Sequence, residues 1–176
     1  NRGGAIYTEG MNNDSSLLNI EGGTISGNHV NGSGAGIFAI CSRGNKHNMD
    51  VNISGGTITN NYSGTGENEE ENAIVLMGWD PNLTEDTGFA DLHLSDSPVI
   101  TGSVTLSDDK YYGPRIYVGK SLQLSDKHIL VTPTYGKADL IAVEYENDSA
   151  AESFESQFYS NGMSKLVRDG KYLKWA

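Results

Sequence analysis

The sequence predicts an all-β fold of short strands stacked as a parallel solenoid, and three observations predict it. The chain of 176 residues carries 22 glycines and only 9% aromatic residues, with Ser, Thr, Asn and Asp spread between short β-branched runs. One motif recurs as Gly4-Ala5-Ile6-Tyr7, Ala35-Gly36-Ile37-Phe38, Asn72-Ala73-Ile74-Val75 and Pro114-Arg115-Ile116-Tyr117. A second motif alternates with it. Residues 18–28 align without a gap on 51–61, a looser third copy runs over 92–102, and a fourth covers 122–129. Glycine and small polar residues between β-branched runs suit tight turns joining strands and suit helices poorly. Self-similarity at a period of tens of residues marks a repeat architecture.

Each element follows from the pattern inside a unit. Leu18 and Ile20 are apolar and Asn19 is polar, the alternation of a half-buried strand. Gly22-Gly23 breaks the phase, and Thr24-Ile25-Ser26 resumes it, so a strand, a sharp corner and a second strand are expected. No unit buries its apolar face alone, whereas units stacked in register at a strand spacing of about 4.8 Å bury a continuous core. The isoleucines at 6, 37, 74 and 116 are unequally spaced. Loops of different length are therefore expected at 11–16, 41–48, 63–71, 78–90 and 107–113, where function is usually carried.

After Thr132-Pro133 the repeat fades. Residues 139–145 read as a buried strand. Asn147-Asp148-Ser149 reads as the start of a short helix over 150–158, with Asp148 or Ser149 accepting a free amide. Residues 165–168 and 172–175 read as a hairpin about Asp169-Gly170. Leu166, Val167, Leu173 and Trp175 would then cover the last repeat, since an open end exposes strand edges and apolar core. The expected division is a repeat domain over 1–145 and a C-terminal cap, helix plus β-hairpin, over 146–176.

The phrases Gly-Gly-Ala-Ile-Tyr at 3–7 and Ile-Ser-Gly-Gly-Thr-Ile-Thr-Asn-Asn at 53–61 resemble repeats of known surface proteins. These are the right-handed parallel β-helix proteins (pectate-lyase-like fold) of Gram-positive, often gut-dwelling, bacteria. Residues 98–102 and Ser125-Asp126-Lys127 extend the resemblance, which covers about residues 3–143. It implies a right-handed single-stranded parallel β-helix of about four coils with a small C-terminal capping segment, in an extracellular or cell wall-attached protein. Such motifs specify fold better than function, because the same architecture serves lyases, adhesins and stalks.

Composition excludes some partners. A net charge of −11 and a pI near 4.6 argue against nucleic acid and anionic membranes. No apolar run approaches the roughly 18 residues of a membrane span, so no membrane insertion is expected. The single cysteine, Cys41, excludes an internal disulfide. The chain opens in mid-repeat, which makes the rest of the same polypeptide upstream an expected partner.

No residue is assigned a catalytic role. A lyase would need a base against an acidic sugar; Arg115 alone among the arginines lies on a repeated strand position, and the acidic surface would repel polygalacturonate. Asp96 and Asp126 align, and stacked they would approach the separation of a retaining glycosidase pair, but Asp also favours corners. His29, His47, His93 and His128 follow no ligand spacing.

Trp79, Tyr111 and Tyr112 fall in insert loops, where aromatic faces stack on sugar rings, and are the ligand-binding candidates. Asp80, Asp86 and Asp91 are the metal candidates. Their hard oxygens would suit Ca²⁺ if a metal binds at all, and no other cofactor is expected. Asn28 and Asn61 align and are expected to hydrogen-bond side chain to side chain. The function expected is non-catalytic: adhesion or carbohydrate binding through loops, with glycans or host surface molecules as partners. The alternatives are part of a polysaccharide lyase or glycoside hydrolase with catalytic coils upstream, and a purely structural stalk.

Overall fold

The protein is described from a computed structural model, which describes residues 2–11, 15–42, 48–78, 88–107, 112–124, 128–161 and 164–176. In chain order, the first repeat supplies β1 (Ile6–Gly10), β2 (Ser16–Ile20), β3 (Thr24–Ser26) and β4 (His29–Val30). The second supplies β5 (Ile37–Cys41), β6 (Met49–Ile53), β7 (Thr57–Thr59) and β8 (Tyr62–Ser63). Then come β9 (Glu70–Gly78), β10 (Ala90–Leu94), β11 (Val99–Ile100), β12 (Ser103–Ser107), β13 (Ile116–Val118), β14 (Ile129–Pro133) and β15 (Ile141–Tyr145). The C-terminal stretch adds α1 (Asp148–Phe154), β16 (Phe158–Tyr159), β17 (Leu166–Asp169) and β18 (Tyr172–Trp175).

These strands correct the expectation of a single right-handed β-helix. They sort into three separate sheets of eight, seven and three strands. The largest follows the order β1-β5-β9-β12-β14-β16, with β4 and β8 beside it; the second runs β17-β18-β15-β13-β10-β6-β2; the third is β11-β7-β3. Many pairings are parallel, but β8–β9, β15–β18 and β17–β18 are antiparallel, and one short α-helix interrupts the strands.

The expected fourfold alternation of two motifs fails at the same place. Ile6, Ile37 and Ile74 stand in register, but the next residue of that ladder is Val104, followed by Val131. Ile116 lies in the second sheet instead, between Leu92 and Val143. An Ile-Tyr-Val strand alternates like any other, so its pattern says which face is buried and not which neighbour it takes.

The ungapped second motif is reproduced as strand register: Leu18↔Val51, Asn19↔Asn52 and Ile20↔Ile53 in one sheet, Thr24↔Thr57 and Ile25↔Ile58 in another. Residues of one parity in these strands meet in a common core. Ile37, Val51, Ile53, Ile58, Ile74, Leu92, Val104 and Ile116 are all within 2% of full burial. Each such side chain contributes roughly 1.5–3 kcal/mol when taken fully out of water. The expected asparagine contact is present: Asn28 Nδ2 donates to Asn61 Oδ1 at 2.9 Å. Asn61, only 1% exposed, donates in turn to the Ile25 carbonyl at 2.9 Å.

The helix starts earlier than the sequence suggests. Asn147 is its N-cap, with Oδ1 accepting from the Ala150 amide at 3.0 Å, and α1 ends at Phe154 in a 3₁₀ turn over Glu155–Gln157. The hairpin turns at Asp169-Gly170, where Gly170 has φ +59°, a conformation that favours glycine. β18 pairs antiparallel with β15, and Trp175 and Leu173 are buried at 2% and 3% exposure. Val167, expected in the cover, is half exposed because it alternates to the outer face of β17.

Candidate functional site

A concavity of about 1470 Å³ lies over the outer face of the eight-stranded sheet. Strand register builds its floor. Phe38, Val75, Thr105 and Thr132 stand side by side on β5, β9, β12 and β14. The neighbouring row is Asn72, Ser103, Leu130 and Tyr159. Residues of these strands alternate, so the partners one position away, Ile37, Ile74, Val104 and Val131, face the core.

The face changes character along its length. At the β5–β9 end Phe38, Ile40 and Val75 form a small apolar cluster with Met77 packed on it. Tyr7 stacks on Phe38 with ring centroids 5.8 Å apart, and the Arg2 guanidinium lies 5.3 Å from the same ring centroid. Toward β12 and β14 the floor becomes hydroxyl-rich, with Ser103, Thr105, Ser107 and Thr132. Tyr159, 47% exposed, stands at the far end, its ring edge-to-face with His128.

Asn72 organises this floor. It is 7% exposed and uses both ends of its amide. Oδ1 accepts from the Gly34 amide at 2.9 Å and from Ser63 Oγ at 3.3 Å. Nδ2 donates to Ser103 Oγ at 2.8 Å and Thr105 Oγ1 at 3.1 Å. Both hydroxyl oxygens thus accept from Asn72, which leaves their hydrogens as donors. Ser103 directs its own at the Glu71 carbonyl, 3.4 Å away. The Glu71 carboxylate on the rim accepts from the Asn60 amide at 2.7 Å and from Thr101 Oγ1.

A second place of interest joins two sequence candidates. Asp91 and Tyr112 line one smaller pocket of about 230 Å³ with Asn48, Phe89, Arg115 and Tyr117. Asp91 is 3% exposed, and both its oxygens are engaged. Oδ2 accepts from Asn48 Nδ2 at 2.5 Å and Oδ1 from the Arg115 amide at 2.8 Å. The carboxyl therefore ties together chain segments leading into β6, β10 and β13. Burial raises its pKa to about 7, with the Arg115 amide and guanidinium opposing the shift and Asp50 and Glu144 adding to it. Nearby, His93 lies 3.2 Å from Asp50 and stacks on Tyr117 at 4.7 Å. Glu144 takes Arg115 at 3.4 Å and Lys171 at 2.8 Å.

Of the remaining expectations, Trp79, Tyr111, Asp80 and Asp86 lie outside the described residues, as do Arg43, His47 and Asp126. Asp96 occupies a corner with φ +53°, a left-handed conformation that Asp adopts more readily than most residues. His29 pairs with Glu69 at 2.9 Å, and His128 Nδ1 lies 2.6 Å from the Ser156 carbonyl. Among the described residues, no three His, Cys, Asp or Glu side chains are grouped to hold a metal ion. Asn72, Thr105 and Tyr159 are the site residues that sequence reasoning missed. The one available signal was Asn72, an amide where the other copies of the first motif carry Gly4, Ala35 and Pro114.

Protein-family models, curated proteins and solved structures were all compared with this chain, and none matches it.

Proposed function

We propose that this chain is a non-catalytic carbohydrate-binding or adhesive domain of a secreted or cell wall-attached protein, with its ligand seated in the groove over the eight-stranded sheet. The observation that carries the reading is the groove floor. A row of neutral hydroxyls on adjacent strands (Ser103, Thr105, Thr132) adjoins half-buried Leu130 and the exposed ring of Tyr159. A sugar presents the same alternation, with hydroxyls on its edges and C–H groups on its faces, and aromatic rings and fixed donors are the usual means of holding one. The net charge of −11 favours a neutral or basic glycan over an acidic one.

The test is binding of the purified protein to an array of host glycans and plant polysaccharides, with and without Ca²⁺. The expected result is binding to a neutral or basic glycan without product release. Tyr159→Ala and Thr105→Val should each weaken that binding by about tenfold, the cost of one lost stacking or hydrogen-bonding contact. Binding unchanged in both variants would move the site off this groove, and no binding would remove the carbohydrate reading.

A further inference from the structure

The strands β1, β2 and β3 are edges. Among the described residues each has a partner on one side only: β5, β6 and β7 respectively. A parallel edge presents a row of backbone N–H and C=O groups ready to pair with another strand. The apolar residues on these edges are also incompletely covered. Ile6, Leu18, Ile20 and Ile25 are only partly buried, although they pack on the main core. Their register partners Ile37, Val51, Ile53 and Ile58 are buried to within 1%. Three open edges and four half-covered core residues thus fall within one short stretch of chain.

The corner glycines say what kind of neighbour fits there. At Gly55 a Cβ would sit 2.6 Å from the Glu21 carbonyl oxygen, because the corner of the earlier repeat lies directly against it. Glycine is therefore required at 55 by close approach of backbone. Gly22 is the aligned residue one repeat earlier, and a Cβ there would meet nothing within 4 Å. Its φ is not in the left-handed region either. Neither contacts nor conformation within the described residues require glycine at 22, yet a carbonyl placed as Glu21 is placed for Gly55 would require it.

We infer that this edge docks one more repeat of the same kind, supplied by the preceding residues of the same polypeptide and adding one parallel strand to each of the three sheets. A segment alternating as Leu-Asn-Ile-x-Gly-Gly-Thr-Ile covers Ile6, Leu18, Ile20 and Ile25. Its corner backbone lies on Gly22 as residues 21–23 lie on Gly55 and Gly56. A second copy of the chain related by a two-fold axis would instead run antiparallel along these edges and bring no carbonyl into that register.

The experiment is amide hydrogen exchange on the full-length polypeptide and on the 176-residue chain, with sedimentation of both. In the full-length protein the amides of β1–β3 should exchange at least about tenfold more slowly than in the shorter chain, approaching those of β5–β7. Gly22→Ala should then speed exchange over residues 16–26 of the full-length protein, while leaving the shorter chain unchanged. Gly55→Ala should speed exchange in both. Equal exchange of β1–β3 in the two wild-type proteins would overturn the inference without needing either variant to fold. Protection that rises with concentration, in step with dimerisation of the shorter chain, would also overturn it by making a second copy the occupant.

Discussion

Two regions of this chain differ in how their strand edges and core are covered. At the C-terminal end, β18 pairs antiparallel with β15, β17 closes outside it, and Trp175 and Leu173 seal the core at 2% and 3% exposure. At the β1–β3 end, three parallel edges stay open and Ile6, Leu18, Ile20 and Ile25 are half covered. A reversal of chain direction closes the C-terminal end. An antiparallel hairpin needs a turn of only two residues and ends with a strand whose outer face, as at half-exposed Val167, already tolerates water. Parallel pairing needs a long crossover for each added strand, and every strand so added creates the next edge.

Truncation is the strongest way to sharpen the comparison. Trp175→Ala should cost about 3–5 kcal/mol, because a fully buried large aromatic leaves a cavity the hairpin cannot close. Leu18→Ala at the open end should cost well under half of that in the isolated chain. Urea midpoints at constant m-value would check both, and equal losses would mean the two ends are equally packed.

Titration of Asp91 probes the middle of the molecule, away from either end. Its carboxyl has a pKa of about 7 when folded, against 3.8 for the free group. Between these values the folded state binds the proton more than the unfolded state does, so stability falls as pH rises from about 4 to about 7 and levels off above. Asp91→Asn should flatten that fall, measured as melting temperature against pH. A slope unchanged in the variant would assign it to other groups.

Smaller effects distinguish buried from exposed amides. Asn61→Ala removes the acceptor for Asn28 and the donor to Ile25 in a 1%-exposed position, and should cost about 1–3 kcal/mol. Asn52→Ala removes only an exposed contact to Asn19, at 3.0 Å, and should stay within about 0.5 kcal/mol. Asn147→Ala should cost about 1 kcal/mol through the lost cap of α1, read by chemical denaturation.

What could be read in advance was local. The alternation around Leu18–Ile20 and Val51–Ile53, the corner at Gly55-Gly56, the Asn28–Asn61 contact and the Asp169-Gly170 turn are each set by neighbours within a few residues or by an ungapped repeat. The helix was legible but its cap was displaced from Asp148 or Ser149 to Asn147, since three adjacent residues all cap well and only packing selects one. The site was scarcely legible. Thr105 and Tyr159 are 54 residues apart and carry no motif; they share a face only because β12, β14 and β16 pair.

The sequence by itself determined that short strands, tight corners and one apolar face per strand would make up this protein, because periodicity and turn chemistry are properties of the local chain. Only the tertiary structure decided which strands pair, that three sheets form, and that Ile116 joins Leu92 rather than Ile74. Pairing is chosen by contacts between residues far apart in sequence, across loops of unequal length that carry no register of their own.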